Sequence, residues 1–409
     1  MDDAQPLPMT RGNHMPTRGG ASTCGEILEL VRAGTVRTRR EIQDLTGLSR
    51  STLAQRMSQL LAAGYLRESG QIAGAAGRPT KVISFDGARQ FVVSAGLGAN
   101  HAELAVIDAD GAILAETIHD IRIEDGPETT LRRVNRRLTD LITASQIDRG
   151  RCVGLGVGVP GNVRTATGRP HHPSLMPAWH DYPIAEHLSR AQRIPTYVDN
   201  DANLMALGES RVRYPTAASV VFVKVGTGIG AGLVLSGRTE RGMAGAAGGI
   251  GHIRITGRDP ELRCTCGAFG CLATHASGGA LVRQLQQEGR EVSKTRDVVV
   301  LVRDGDPLAI SLVQDAGRLI GKVLATSVAL LNPSIIVIGG EIATAGPYLV
   351  DAITEVIHDR TVPTVSRGLI IAATALGERA AAHGARHLVI DETFSAAAVD
   401  ARLNESAAG

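Results

Sequence analysis

The sequence predicts an α/β protein in two parts: a small winged helix-turn-helix head, then a large body of two α/β lobes. Three observations carry that expectation. Helix-spaced apolar residues with a basic surplus occupy the first part of the chain, and apolar strands, glycine turns and amphipathic helices alternate after residue 90. The third is a cluster, with three of the five cysteines in Cys264-Thr-Cys266-Gly-Ala-Phe-Gly-Cys271, shortly after Gly251-His252.

At 409 residues the chain is too long for one compact core and implies two or three domains. Its hydrophobic content of 43% is ample for real cores. No run of about eighteen apolar residues is present to span a membrane, and the polar first twenty residues lack an apolar signal core. The expected setting is the reducing cytoplasm, where clustered thiols serve a metal rather than disulfides. Cys24 and Cys152 stand apart and read as packed thiols. The overall charge of +2 divides unevenly, with 11 Lys/Arg against 7 Asp/Glu in residues 1–81 and 32 against 34 in the rest. A basic head on a slightly acidic body fits contact with nucleic acid through the head.

In order along the chain, residues 1–21 read as a disordered tail and 22–86 as the head. Ile27, Leu28, Leu30 and Val31 recur at helical spacing up to Ala33-Gly34. Thr38-Arg-Arg-Glu41 is a capping box for a second helix through Ile42 and Leu45 to Gly47. Ser49 is the N-cap of a third helix, whose apolar stripe is Leu53, Met57, Leu60 and Leu61. The opposite face carries Arg50, Ser51, Thr52, Gln55 and Gln59, with Arg56 on its flank. This is the layout that puts a recognition helix in a major groove. The tip Gly74-Ala-Ala-Gly77-Arg78-Pro79, before the strand Lys81–Phe85, reads as a wing that offers Arg78 to a minor groove. The DNA-contacting residues expected are therefore Arg50, Ser51, Thr52, Gln55, Arg56 and Arg78.

The body is expected from residue 87 to 409, with one lobe over about 90–199 plus 384–409 and the other over about 200–383. Strands are expected at Phe91–Ala95, Ala102–Asp108, Ala112–Ile118, Val153–Val157, Val220–Val225 and Ile335–Ile338, and a helix over Thr129–Ala144. Several strands run into glycine turns, at Gly158-Val-Pro160-Gly161, Gly226-Thr-Gly228-Ile-Gly230-Ala-Gly232 and Gly339-Gly340, which expose backbone N–H groups suited to phosphates or polar ligands. His252, Cys264, Cys266 and Cys271 make the Cys₃His set of a structural zinc site, and Gly267 and Gly270 allow the tight turn between them. The alternative is a group of packed thiols, or one disulfide with a spare thiol.

The ordered motifs Val225–Gly232, Gly251-His252 and Cys264-x-Cys266-Gly-x-x-Gly-Cys271 resemble the ROK family of repressors, open reading frames and kinases. Val198-Asp199-Asn200-Asp201-Ala202-Asn203, Pro173–Trp179 and Leu331-Asn-Pro333 extend the resemblance over about residues 90–390, and the head resembles that of the family's repressor branch. The resemblance implies the actin-like ATPase fold with a cleft between two lobes, and zinc held by His252, Cys264, Cys266 and Cys271. It also maps the sugar-kinase base onto Asp201, and it suggests a ligand site of Gly161, Asn162, Asn200, Asp201 and His252.

Several positions depart from the kinase pattern. Gly96 stands for the phosphate-site aspartate, and Asn100 and His101 stand for a threonine and a lysine. Gly249 and Ala273 replace two sugar-site glutamates, and Ser174 replaces an asparagine. One lost transition-state contact commonly costs about 10²–10³ in rate, so no useful sugar-kinase activity is expected and Asp201 is read as a relic base. The expectation is a transcriptional repressor, a homodimer or dimer of dimers, that binds a double-stranded DNA operator and responds to a sugar or oligosaccharide. The alternatives are an active ATP-dependent sugar kinase with a regulatory head, and a constitutive DNA-binding protein with an empty cleft.

Overall fold

The computed structural model describes residues 23–73, 79–87, 90–164 and 167–408. Two compact units form. One joins the chain up to Gly87 with the segment from Asp391 onward, and the other is Ala88–Ile390. The expected tail 1–21 and the wing tip with Arg78 lie outside the described residues.

The first unit contains α1 (Cys24–Arg32), α2 (Arg39–Thr46), α3 (Arg50–Ala62), β1 (Leu66–Ala73) and β2 (Pro79–Phe85). Thr23 starts α1 with a full capping box: its hydroxyl accepts from the Glu26 N–H, and Glu26 accepts from the Thr23 N–H at 2.9 Å. The box expected at α2 is only half formed. Thr38 accepts from the Glu41 N–H, but the Glu41 carboxylate turns to the Arg37 N–H at 2.6 Å. Gly47 closes α2 with a left-handed φ of 71°, and Ser49 caps α3. Ile27, Leu28, Ile42, Leu53, Met57, Leu60, Leu66 and Ile83 are buried together, and β1 and β2 pair antiparallel as the wing's hairpin.

The second unit repeats one design. Its first sheet holds β3 (Phe91–Leu97), β4 (His101–Asp108), β5 (Ile113–Asp120), β6 (Cys152–Val159) and β7 (Thr196–Asn200), in the order β5-β4-β3-β6-β7. Its second sheet holds β8 (Ser219–Val225), β9 (Ile229–Leu235), β10 (Arg238–Glu240), β11 (Ile335–Gly339) and β12 (Ile370–Ala373), in the order β10-β9-β8-β11-β12. In each sheet three antiparallel strands continue into two parallel ones. The expected two-lobed α/β body is therefore found, with the six expected strands within a few residues of their sequence-based positions, while β7, β9, β10 and β12 were not anticipated.

Helices α4 (Pro127–Ala144) and α5 (Ile184–Gln192) cover the first sheet, burying Leu131, Val134, Leu138 and Leu188 against Val93, Leu155 and Val157. Helices α7 (Leu272–Ala276), α8 (Gly278–Gln287), α9 (Thr295–Arg303), α10 (Pro307–Leu331), α11 (Tyr348–Arg360) and α12 (Pro363–Ser366) belong to the second lobe. There Leu281, Val298, Ile320 and Ile353 pack against Val221, Val223 and Ile336. Between the sheets, α6 (Asp201–Val212) meets α13 (Arg379–Thr393). A Cβ on Gly208 would collide with the Ala380 carbonyl and one on Gly384 with that of Leu204, so glycine alone permits this approach.

The C-terminus departs from expectation. Up to Ile390 it returns to the first lobe, with Ala385 and Val389 against Gly156 and Gly154 of β6. From Asp391 onward, including α14 (Ala396–Ala408), it joins the head unit instead. The physical reason is Phe394, 1% exposed, whose ring meets Tyr65 and Phe85 of the head edge-on.

Candidate functional site

The cysteine loop builds a four-donor cluster. A turn at Gly267, with φ +92°, lets Cys264 and Cys266 face one point, and Gly270, with φ +65°, brings Cys271 back to the start of α7. The short pairings Arg254 with Cys271 and Arg263 with Phe269 brace the loop. His252, on the turn after Gly251, completes the set, and the four ligand atoms lie within 4.8 Å of one another. All three cysteines are free thiols, so the disulfide alternative fails.

The spacing fits a tetrahedral ion. Bonds of about 2.3 Å to sulfur and about 2.0 Å to nitrogen give edges near 3.8 Å for S–S and near 3.5 Å for N–S. Cys266 and Cys271 sulfurs are 3.8 Å apart, and His252 Nδ1 is 3.5 Å from the Cys264 sulfur. Burial, reinforced by hydrogen bonding to Cys266 and by the charge of Cys264, pushes the Cys271 thiol up to about 12. Three thiols this close cannot all ionise without a cation between them. The outer nitrogen of His252, Nε2, meets Ser174 Oγ at 3.3 Å. That contact orients the imidazole and links the cluster to the loop between β6 and α5.

The cleft residues come from the other side of that loop. Asn200 caps α6 and its amide donates to the Gly161 carbonyl at 2.9 Å. Asp201, 8% exposed, follows at the first helical position and accepts from the Ala202 N–H at 2.8 Å. Its other oxygen is taken by the Lys224 ammonium from β8, a salt bridge whose side chains are 11% and 26% exposed. Burial pulls Lys224 down, but the charge and hydrogen bond of Asp201, with Glu103 and Glu341, raise it overall above the usual lysine range. Asp199, 3% exposed, binds Arg241 at 2.6 Å and so ties the glycine-rich loop 241–249 to β7. A Cβ on Gly249 would meet only the Ala246 carbonyl at 3.4 Å, so the space of a side chain is open there.

The cavity beside Gly96 is acidic. Gly96, Glu103, Glu116, Leu376, Glu378 and Arg379 are among the residues lining a cavity of about 670 Å³. His101 binds Glu103 at 3.1 Å, an interaction that raises the imidazole's proton affinity, and Arg379 is engaged by Glu116. Burial and then the charge of Glu103 raise Glu378 above the usual carboxylate range. A polyphosphate needs cations and donors here; carboxylates oppose it. A second group, His171, His172 and His180, also comes within 4.8 Å. Its His172 and His180 rings stack at 4.1 Å, and His180 Nδ1 already accepts from the His172 N–H. Parallel rings do not converge on one ion.

In the head, Arg50, Ser51 and Gln55 are exposed on α3, joined by Ala54 and Ser58, while Thr52 is half-buried against Ser49. Arg56 lies on the flank of this face. It is half-buried, its Nη1 reaches Gln59 Oε1 at 3.5 Å, and its Nε is buried without a hydrogen-bond partner. The Cys24 thiol of α1 holds the same Gln59 oxygen at 3.2 Å, which draws Gln59 and Arg56 inward.

A model of the ROK family matches residues 92–392. The chain belongs to the ROK family. It is 26% identical over 390 residues to a xylose repressor of Caldicellulosiruptor bescii, a match covering 90% of this chain and 95% of that one. A glucokinase of Halalkalibacterium halodurans is 28% identical over 317 residues, 73% of this chain and 95% of that one. Among solved structures, a ROK family transcriptional regulator homologous to the Escherichia coli MLC protein matches with TM-score 0.76 and 26% identity, covering 93% of this chain and 98% of that one. The repressor and regulator matches therefore reach into the head of this ROK protein.

Against that background, sequence reasoning missed Lys224 and Arg241. Lys224 interrupts the otherwise apolar strand Val220-Val-Phe-Val-Lys-Val225, a signal that was available. Arg241 carried no comparable mark. Among the described residues no helix is long and apolar enough to cross a membrane.

Proposed function

We propose that this ROK protein is a sugar-responsive transcriptional regulator, a repressor, whose kinase-like cleft senses a ligand without phosphorylating it. The observation that carries the reading is the engagement of Asp201 by Lys224. A general base must offer a free oxygen to the hydroxyl it deprotonates. Here one carboxylate oxygen accepts from Ala202 and the other from an ammonium, in a cleft whose phosphate end has Gly96 and exposes carboxylates. A sugar can still bind beside this pair through Asn200, Asn162 and the Gly161 backbone, with the Lys224 ammonium and the second lone pairs of Asp201 able to hydrogen-bond its hydroxyls without removing a proton.

His252, Cys264, Cys266 and Cys271 would hold one Zn²⁺, which would supply a fixed cross-link rather than a reacting centre. That cross-link sets the His252 ring, through Ser174, at the wall of the ligand site. Open space at Gly249 and the small side chain of Ala273 suit a ligand larger than glucose, such as an oligosaccharide or a modified sugar.

The head reads an operator through Arg50, Ser51, Thr52 and Gln55, with Arg78 assigned to a minor groove. A homodimer would present two recognition helices to half-sites about one helical turn apart. A ligand that binds one lobe arrangement better than another would shift the DNA-binding population. The reading is tested by selecting duplexes from a random library with the full-length protein, then adding sugars. Release by a mono- or oligosaccharide, with no ATP-dependent phosphorylation of that sugar, is the expected result. Phosphoryl transfer above blank would return the protein to the kinase class.

A further inference from the structure

The loop between β6 and α5 carries His171, His172 and His180, which have no part in the ligand site assigned above but are held beside it. His171 donates its N–H to the Asn162 carbonyl at 2.8 Å. Pro173 lies so close to Gly161 that a Cβ there would come within 2.8 Å of it. Ser174 then reaches His252 at 3.3 Å. Residues 171–174 thus touch Gly161, Asn162 and His252 of the ligand set, and His172 sits in the middle of that run.

The far end of the loop brings His180 to the same place. Trp179, fully buried, donates its indole N–H to the Ile123 carbonyl at 2.9 Å and fixes the backbone next to His180. Asp181 is tied down by Arg164 at 2.7 Å and by its own N–H, which donates to the Pro170 carbonyl at 2.9 Å. His172, with φ 44°, and Asp181, with φ 54°, adopt the left-handed backbone that non-glycine residues seldom take, held there by these contacts. The result is a pair of imidazoles stacked at 4.1 Å and 19°, both exposed. The half-buried His171 ring is tilted against them, with centroids 4.5 and 5.6 Å away. Burial, then the charge of Arg164, hold His171 below the usual imidazole range, so it packs as a neutral ring at pH 7. The His172 N–H donates to His180 Nδ1 at 3.2 Å, so the neutral His180 ring carries its own proton on Nε2.

Such a stack suits a sugar ring. A pyranose has an apolar face of C–H groups and a rim of hydroxyls; an imidazole face covers the first, and nitrogens at the ring edge meet the second. Rings already stacked and braced lose little freedom when a ligand arrives. We propose that the His172–His180 stack, backed by His171, is a second carbohydrate subsite: the effector is an oligosaccharide with its terminal unit at Asn200 and Asp201 and its next unit on the imidazoles. The proposal rests on the reading of the cleft as a sugar sensor.

Calorimetry of the full-length, zinc-loaded protein with glucose, xylose, N-acetylglucosamine and the 1,4-linked disaccharide of each is the test. One disaccharide is expected to bind about tenfold tighter than its own monosaccharide. His172→Asn removes a ring but keeps a residue type that accepts left-handed φ, and His180→Ala removes the other ring. Each should weaken that disaccharide about tenfold and the monosaccharide by less than about twofold. His180→Phe, which keeps an aromatic face, should retain most of the disaccharide affinity. Equal losses for both sugars in the variants would make the loop a structural brace and overturn the proposal. A disaccharide no tighter than its monosaccharide in the parent would overturn it too, and would leave the sugar-sensing reading standing. Binding of none of these sugars would remove that reading and the subsite together.

Discussion

Replacing Lys224 by methionine keeps most of the side chain's length and removes its charge. The pair it breaks is neither at the surface nor fully interior, since Lys224 is 26% and Asp201 11% exposed. Exposed pairs contribute about 0–1 kcal/mol, and breaking a fully buried one costs about 3–5 kcal/mol. Roughly 2 kcal/mol is therefore expected near neutral pH, or about 3 °C in Tm for a unit of this size. Asp201→Asn strands the ammonium and should cost a similar amount. The double variant removes both charges and should recover most of the loss, a coupling of about 3 kcal/mol.

The pH dependence follows from the direction of the Lys224 shift. Its folded value lies above the ordinary 10.5, so its contribution is fully present below that pH and disappears as pH rises through the raised folded value. The gap between parent and Lys224→Met should stay level from about pH 6 to 9 and close above about 10.5. Urea unfolding of the metal-loaded protein across this range measures it. A gap below about 0.5 kcal/mol at pH 7, the size of an incidental surface substitution, would refute the reasoning. A double variant no more stable than the singles would refute it as well.

Three further outcomes are expected. Chelation, or Cys266→Ser, should release one zinc per chain, measured by atomic absorption, and expose the loop around residues 253–270 to protease; unchanged proteolysis would make the cluster incidental. Gln55→Ala should relax base preference at one operator position by about 1–3 kcal/mol, whereas Arg50→Ala should reduce the magnitude of the salt slope by about one. Arg56→Ala should lower the head's thermal stability by about 1 kcal/mol through lost packing around Gln59 and Cys24, without changing base preference in the same selection.

The parts of this architecture legible in the sequence are those fixed by local pattern. Val153–Val157 and Val220–Val225 run into glycines, and their positions followed from apolar runs bounded by turn residues. The Cys₃His cluster was legible because its four side chains lie within twenty residues and two glycines permit the turn. Gln59, expected on the outer face, is half-buried because helical projection ranks faces but does not know that Cys24, on another helix, holds it from beneath. The Lys224–Asp201 pair joins a strand of one lobe to the helix that follows the other's last strand, a proximity set by the tertiary fold. Asp391–Ala408 is an unremarkable helical stretch in sequence, and its partners Tyr65 and Phe85 lie some three hundred residues earlier.

The most direct test of the central claim is the affinity of the full-length, zinc-loaded protein for its selected duplex, titrated with a panel of mono- and oligosaccharides at fixed salt. The account predicts enrichment of a palindromic site with half-sites about one helical turn apart and loss of affinity with one sugar class. Enrichment of no sequence, or an affinity that no sugar in the panel changes, would contradict it.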